Sequence, residues 1–107
     1  MGSDRDFVDF VVDQIDADCA MTSKSMFGEY GLYSHGIMVA MVCDNRLFVK
    51  RTEAGEAYIG TPVFGSPYPG AKPIFLIEDR VEDGPWLSEL LRITRAALPP
   101  PRKKRSR

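Results

Sequence analysis

The sequence predicts a two-layer α+β sandwich with an antiparallel sheet and helices packed on one face. Three observations predict it. Apolar residues recur at helical spacing near both ends of the chain. Between them, short β-branched and aromatic runs are separated by tight-turn residues. The whole chain is 107 residues long, which fits one domain and not two. The expected order is helix, three strands, helix, one or two strands, helix. Residues 1–98 form the domain, and residues 99–107 are a Pro-rich, then basic, tail expected to be disordered.

The first helix is expected from Asp4 to about Ala17. Phe7, Val8, Val11, Val12 and Ile15 share one arc, and Asp6, Asp9, Asp13 and Asp16 the opposite one. Asp4 is placed to cap it. Asp16 and Asp18 oppose the negative dipole end, so the helix should fray there. Ala20 to Lys24 reads as a connector. Ser25 to Tyr33 reads as one strand interrupted by Gly28 and Gly31, glycines that mark a bulge or a close backbone approach. Ser34-His35-Gly36 is a turn, Ile37 to Cys43 a strand apolar on both faces, Asp44-Asn45 a two-residue turn, and Arg46 to Lys50 a third strand. These three strands make an antiparallel meander.

Thr52 caps a short helix that ends near Ile59, with Gly60 as its stop. Thr61 to Pro73 is a long loop rich in glycine and proline, with room for a short strand at Val63-Phe64. A strand follows from Pro73 to Ile77. Asp83-Gly84-Pro85 opens the last helix, and Trp86, Leu87, Leu90, Leu91 and Leu98 lie on its apolar arc. Pro99-Pro100-Pro101 ends it.

Composition excludes several classes. No apolar run approaches the ~20 residues of a membrane span. The acidic N-terminus lacks the apolar core of an export signal. Cys19 and Cys43 form neither a CxxC pair nor a disulfide framework, which points to the cytoplasm. The net charge is −1, yet residues 102–107 hold five cations. Without them, nine Lys and Arg face 15 Asp and Glu, a body charge near −6. That asymmetry makes Arg102, Lys103, Lys104, Arg105 and Arg107 candidate nucleic-acid contacts through counterion release, without base specificity.

Catalytic and metal motifs do not assemble. His35 is the single histidine, in a turn, and Cys43 is eight positions away at a strand end. Neither cysteine carries the flanking residues of an activated nucleophile. Gly28-Glu29-Tyr30-Gly31 and Gly65 to Gly70 lack the lysine of a phosphate loop, and the prolines of the second remove amide donors. The expected site is therefore neither catalytic nor a cofactor or metal site.

Ser25-Met26-Phe27-Gly28-Glu29-Tyr30-Gly31-Leu32-Tyr33, followed by Gly36-Ile37-Met38 and Leu47-Phe48-Val49-Lys50, resembles the N-terminal domain of the TfoX/Sxy family of bacterial competence regulators. The likeness covers about residues 5 to 98. It implies the order α-β-β-β-α-β-β-α, a secretion-chaperone-like fold, and a bacterial cytoplasmic protein. Full-length members act as transcription co-regulators beside a cyclic-AMP receptor protein and carry a second, helical domain. The family offers no catalytic residues to carry over.

These readings predict a non-enzymatic interaction domain without a cofactor. Phe27, Tyr30, Tyr33 and Phe48 are its candidate surface. The partner is an unidentified protein or a second copy, with weak nucleic-acid binding through the tail and no membrane contact. An unrecognised enzyme is the remaining alternative. The central strand is apolar on both sides, so the face that the helices leave open must be covered by a partner, a second copy or the loop Thr61 to Gly70.

Overall fold

Four consecutive strands open the sheet in this computed structural model, which describes residues 3–99. They are β1 (Met21–Met26), β2 (Glu29–Ser34), β3 (Ile37–Cys43) and β4 (Arg46–Val49), each antiparallel to the next. Three two-residue turns join them. Phe27-Gly28, His35-Gly36 and Asp44-Asn45 all have positive φ at both positions, between 50° and 83°. That geometry matches the right-handed twist of the flanking strands.

The sheet thus has one strand more than the sequence reading expected. The supposed connector Ala20 to Lys24 lies mostly in β1, and the supposed single strand Ser25 to Tyr33 is broken by the Phe27-Gly28 turn. Phenylalanine is a poor signal for a left-handed turn position, which is why the break was hidden. Gly31 sits in the strand as expected of a close approach, and a bulge lies next to it between Leu32 and Tyr33.

The rest follows the predicted order. Helix α1 (Arg5–Gln14) precedes a 3₁₀ turn, Ala17–Cys19. After β4 come α2 (Glu53–Ile59), β5 (Val63–Gly65), β6 (Ile74–Ile77) and α3 (Gly84–Ala97). The strand order across the sheet is β1-β2-β3-β4-β6-β5. Thr52 caps α2 as expected, its Oγ1 accepting the Gly55 N–H at 2.9 Å. Asp83 caps α3 by accepting the Trp86 N–H at 3.2 Å. Asp4 occupies the cap position of α1 without a side-chain cap bond.

Side chains alternate across the strands, so the register sorts them into two faces. The inner face carries Leu32, Ala40, Val42, Leu47, Val49, Phe75 and Ile77. Val8 and Val11 of α1 and Leu87, Leu90 and Leu91 of α3 close over it, all fully buried. The bulge adds Val39 to this set: Leu32 pairs Ala40 and Tyr33 pairs Met38, which leaves Val39 unpaired in register and buried in the core. Each buried Val, Leu, Ile or Phe among them contributes about 1.5–3 kcal/mol by leaving water.

The two carboxylates expected to fray α1 have a use. The helix stops at Gln14, and Arg92 of α3 donates to Asp16 at 2.6 Å and to Asp18 at 2.8 Å. Glu89 accepts from the same guanidinium at 3.2 Å. The 3₁₀ turn is thereby tied to α3, and the Asp16 N–H donates to the buried Ser88 hydroxyl at 2.9 Å.

Candidate interaction surface

The outer sheet face is apolar and its cover is partial. Register places Met26 of β1, Gly31 and Tyr33 of β2, Met38, Met41 and Cys43 of β3, Phe48 of β4 and Leu76 of β6 on it. None of these belongs to the helix-side core. Loop residues 66–72 cross the β4 half. Ser66 and Pro67 share a depression with Phe48 and Cys43, which are 2% and 5% exposed. The β1–β3 half stays open as a groove of about 510 Å³ lined by Met26, Phe27, Glu29, Tyr30, Met38, Met41, Cys43, Pro67 and Tyr68.

Gly31 lies buried beneath the groove's methionines. A Cβ there would stand 2.5 Å from the Met38 methyl, 2.9 Å from the Met26 methyl and 3.2 Å from the Tyr33 ring. Methionines of two strands and a tyrosine thus lean over one backbone position, which only glycine leaves vacant. Methionine is unbranched and polarizable, so a surface built from it adapts to different apolar shapes.

Phe27 stands at the rim. It is 105% exposed, with φ +50° at the tip of the β1–β2 turn. The turn is held from behind. The Ser3 N–H donates to the Gly28 carbonyl at 3.0 Å, and the Ser3 hydroxyl donates to the Glu29 carboxylate at 2.6 Å. The Asp44 N–H donates to both oxygens of that carboxylate at 3.2 Å. The Asn45 N–H donates to the Ser3 Oγ at 2.9 Å, and the Asn45 amide oxygen accepts the Asp4 N–H at 2.8 Å. The start of α1 therefore bridges two adjacent turns and braces the one that displays Phe27.

The four expected surface residues are divided by the fold. Phe27 and Tyr33 belong to the open half of the outer face, with the Lys24 ammonium 5.7 Å above the Tyr33 ring. Phe48 is on the same face but buried under the loop. Tyr30 pairs with the inner-face Val42 and packs against the core, 6.0 Å from the Arg5 guanidinium, yet it also lines the groove. The residues that sequence reasoning missed are Met26, Met38 and Met41. Their signal was the apolar two-faced strand Ile37 to Cys43, but only the register separates its groove residues from its core residues. Arg102, Lys103, Lys104, Arg105 and Arg107 lie outside the described residues.

The chemistry of the remaining candidates is inert. His35 holds the Asp18 carbonyl with Nε2 at 2.8 Å, so it fastens the β2–β3 turn to the 3₁₀ turn. Burial pushes the Cys43 thiol up, and the carboxylates of Glu29 and Asp44 push it further. Burial likewise raises Cys19, whose thiol faces the Ser88 carbonyl at 3.8 Å. A thiol held neutral is a poor nucleophile and a poor metal ligand. Among the described residues, no three of His, Cys, Asp and Glu group in a way that could hold a metal ion. No helix among them is long and apolar enough to cross a membrane.

Comparison with known proteins agrees with this fold. Over 107 residues the chain is 41% identical to an uncharacterized 12.7 kDa protein in the trpE 5′ region of Spirochaeta aurantia, covering all of this chain and 93% of that relative. The family model described as TfoX N-terminal domain matches residues 13–98, from the end of α1 to the end of α3. With the four-strand meander, the bracing turns and the closing helix all inside that span, the chain belongs to the TfoX N-terminal domain family.

Proposed function

We propose that the chain is a non-enzymatic interaction domain of the TfoX/Sxy type, working in the bacterial cytoplasm, that docks a protein partner on the open half of its outer sheet face. The observation that carries this reading is Phe27, a solvent-exposed ring on a left-handed turn position beside a methionine-lined apolar groove. The fold gains nothing from that ring, because asparagine or glycine would suit the turn better. A bound partner would bury it. Exposed aromatic anchors at a groove are the usual carriers of binding energy. The groove is lined mainly by methionine, so the partner presents an apolar segment. The family's competence regulators favour a partner from a transcription-regulating assembly.

The test uses full-length F27N and M38K beside the unaltered chain as baits in a lysate of the source organism. One protein should co-purify with the unaltered chain and be lost from both variants, a drop of at least ~30-fold if Phe27 is a hot spot. Retention of that protein by both variants overturns the outer face as the docking site. Sedimentation of the unaltered chain alone separates the outcomes further. A dimer that F27N dissociates identifies the partner as a second copy.

A further inference from the structure

The sheet has two edge strands, and they are finished differently. β5 is three residues long and starts directly after Pro62, and the Arg51 guanidinium lies 4.6 Å above the ring of its Phe64. Shortness and proline are usual means of keeping a foreign strand off an edge. β1 has neither. It pairs with β2 at six successive residues without a break in register, and the bulge lies between β2 and β3 instead. Its one charged residue, Lys24, has its ammonium 5.7 Å from the Tyr33 ring, so that charge is drawn over β2 and does not guard the edge.

Register tells which backbone groups of β1 are unused. Phe27-Gly28 is a two-residue turn, so Met26 and Glu29 beside it exchange N–H and carbonyl bonds. Such pairs alternate along antiparallel strands, so Lys24 with Gly31 and Thr22 with Tyr33 do the same. The next pair in the series is Ala20 with His35, and there the His35 N–H donates to the Ala20 carbonyl at 3.4 Å. Met21, Ser23 and Ser25 therefore turn their N–H and C=O groups away from β2. Apart from the β1–β2 ladder, no hydrogen bond between backbone groups of the described residues uses Met21–Met26. The free donors and acceptors recur at every second residue, about 6.8 Å apart in one line. That is the repeat of one more strand. A helix cannot match it, because its N–H and C=O groups are spent on itself.

We infer that β1 is a docking edge that takes an extended segment of a partner protein as a further strand of the sheet, through the N–H and C=O groups of Met21, Ser23 and Ser25. Backbone pairing supplies the hold. The side chains of the added strand fall alternately beside Thr22, Lys24 and Met26 on the outer face and beside Met21, Ser23 and Ser25 on the helix side. The occupant is a flexible segment and not β1 of a second copy. α1 packs beside β1 and exposes Asp6, Asp9 and Asp13, so two copies joined at this edge would bring two acidic helices to one seam. The edge is carried by backbone groups and does not rest on the groove or on Phe27.

The experiment pans a display library of random peptides of about 12 residues on the full chain. Each enriched peptide is then measured by fluorescence anisotropy against the unaltered chain, S23P and S25P. Proline at either position removes an outward N–H and leaves the β2 ladder intact, so both variants should unfold at about the midpoint of the unaltered chain. The enriched peptides should bind both variants at least ~10-fold more weakly. Amide exchange of the unaltered chain, followed by NMR, reads the mode without any substitution. The Ser23 and Ser25 N–H groups should exchange fast in the dilute free chain and at least ~10-fold more slowly with peptide bound. A library that yields no binder overturns the proposal. So do peptides that bind S23P and S25P as tightly as the unaltered chain, and so does exchange at Ser23 and Ser25 that binding leaves unchanged. Slow exchange of these two amides in the free chain that speeds up on dilution assigns the edge to a second copy and equally overturns the proposal.

Discussion

Phe27 has a left-handed backbone, a side chain wholly in water, and glycine as its neighbour in a two-residue turn. A non-glycine residue in that region is strained by roughly 1–2 kcal/mol, and asparagine much less so. F27N should therefore raise stability by about 1 kcal/mol, read as a higher urea midpoint, while partner capture is lost. A stabilised variant that no longer binds is the expected signature of a residue retained for docking. Gly31 and Gly84 give a second contrast at this scale. A Cβ at Gly31 would meet only the mobile ends of Met38 and Met26 and the edge of the Tyr33 ring, whereas at Gly84 it would meet the Gln14 carbonyl oxygen at 2.6 Å. G31A should change stability by less than about 1 kcal/mol and weaken docking by displacing the groove's methionines. G84A should destabilise by about 1–3 kcal/mol, since α1 or α3 must move. Equal unfolding midpoints for the two variants would contradict this difference in surroundings.

Among the elements, the helices were legible and the strand boundaries were not. The arcs of α1 and α3 announce themselves because a buried helix stripe repeats every 3.6 residues over several turns. Thr52 and Asp83 were legible as caps for a local reason, their side chains bonding backbone groups three residues away. β1 escaped notice because it is an edge strand. Its sequence Met-Thr-Ser-Lys-Ser-Met is mostly polar and it packs little against the core. What makes it a strand is β2, which pairs with it at six successive residues. The loop 61–73 was legible from its prolines and glycines and was one expected cover of the open face, but that it covers Phe48 and leaves the methionines bare was not legible.

At the scale of the whole molecule, Arg92 joins what α1 leaves behind to α3, and this sets a pH dependence. Hydrogen bonding to Arg92 holds the Asp18 carboxyl below its ordinary value. A depressed carboxyl stabilises the fold at pH above the unfolded value near 4, and that stability is lost as pH falls through the lower folded value. R92Q should consequently be less stable than the unaltered chain at pH 7, and the gap should close as the pH approaches 2. Urea unfolding of both proteins at pH 7, 4 and 2.5 checks it, and a gap that stays constant over that range rules the pair out as the cause. The ion pairs are exposed, so added salt should narrow the gap at pH 7 as well.

Sequence alone determined the α+β class, the order of the helices, the two-faced central strand, the family and the charge asymmetry between body and tail. The family rests on the resemblance of the segment from Ser25 to Lys50, and the others on local periodicity, local capping or composition. The tertiary structure decided the extra strand, the split of Phe27, Tyr30, Tyr33 and Phe48 between faces and the methionine groove. Each of these depends on cross-strand register or on residues far apart in the chain. One residue of slip moves every strand side chain to the opposite face, and no local pattern carries that information for a strand that is apolar on both sides.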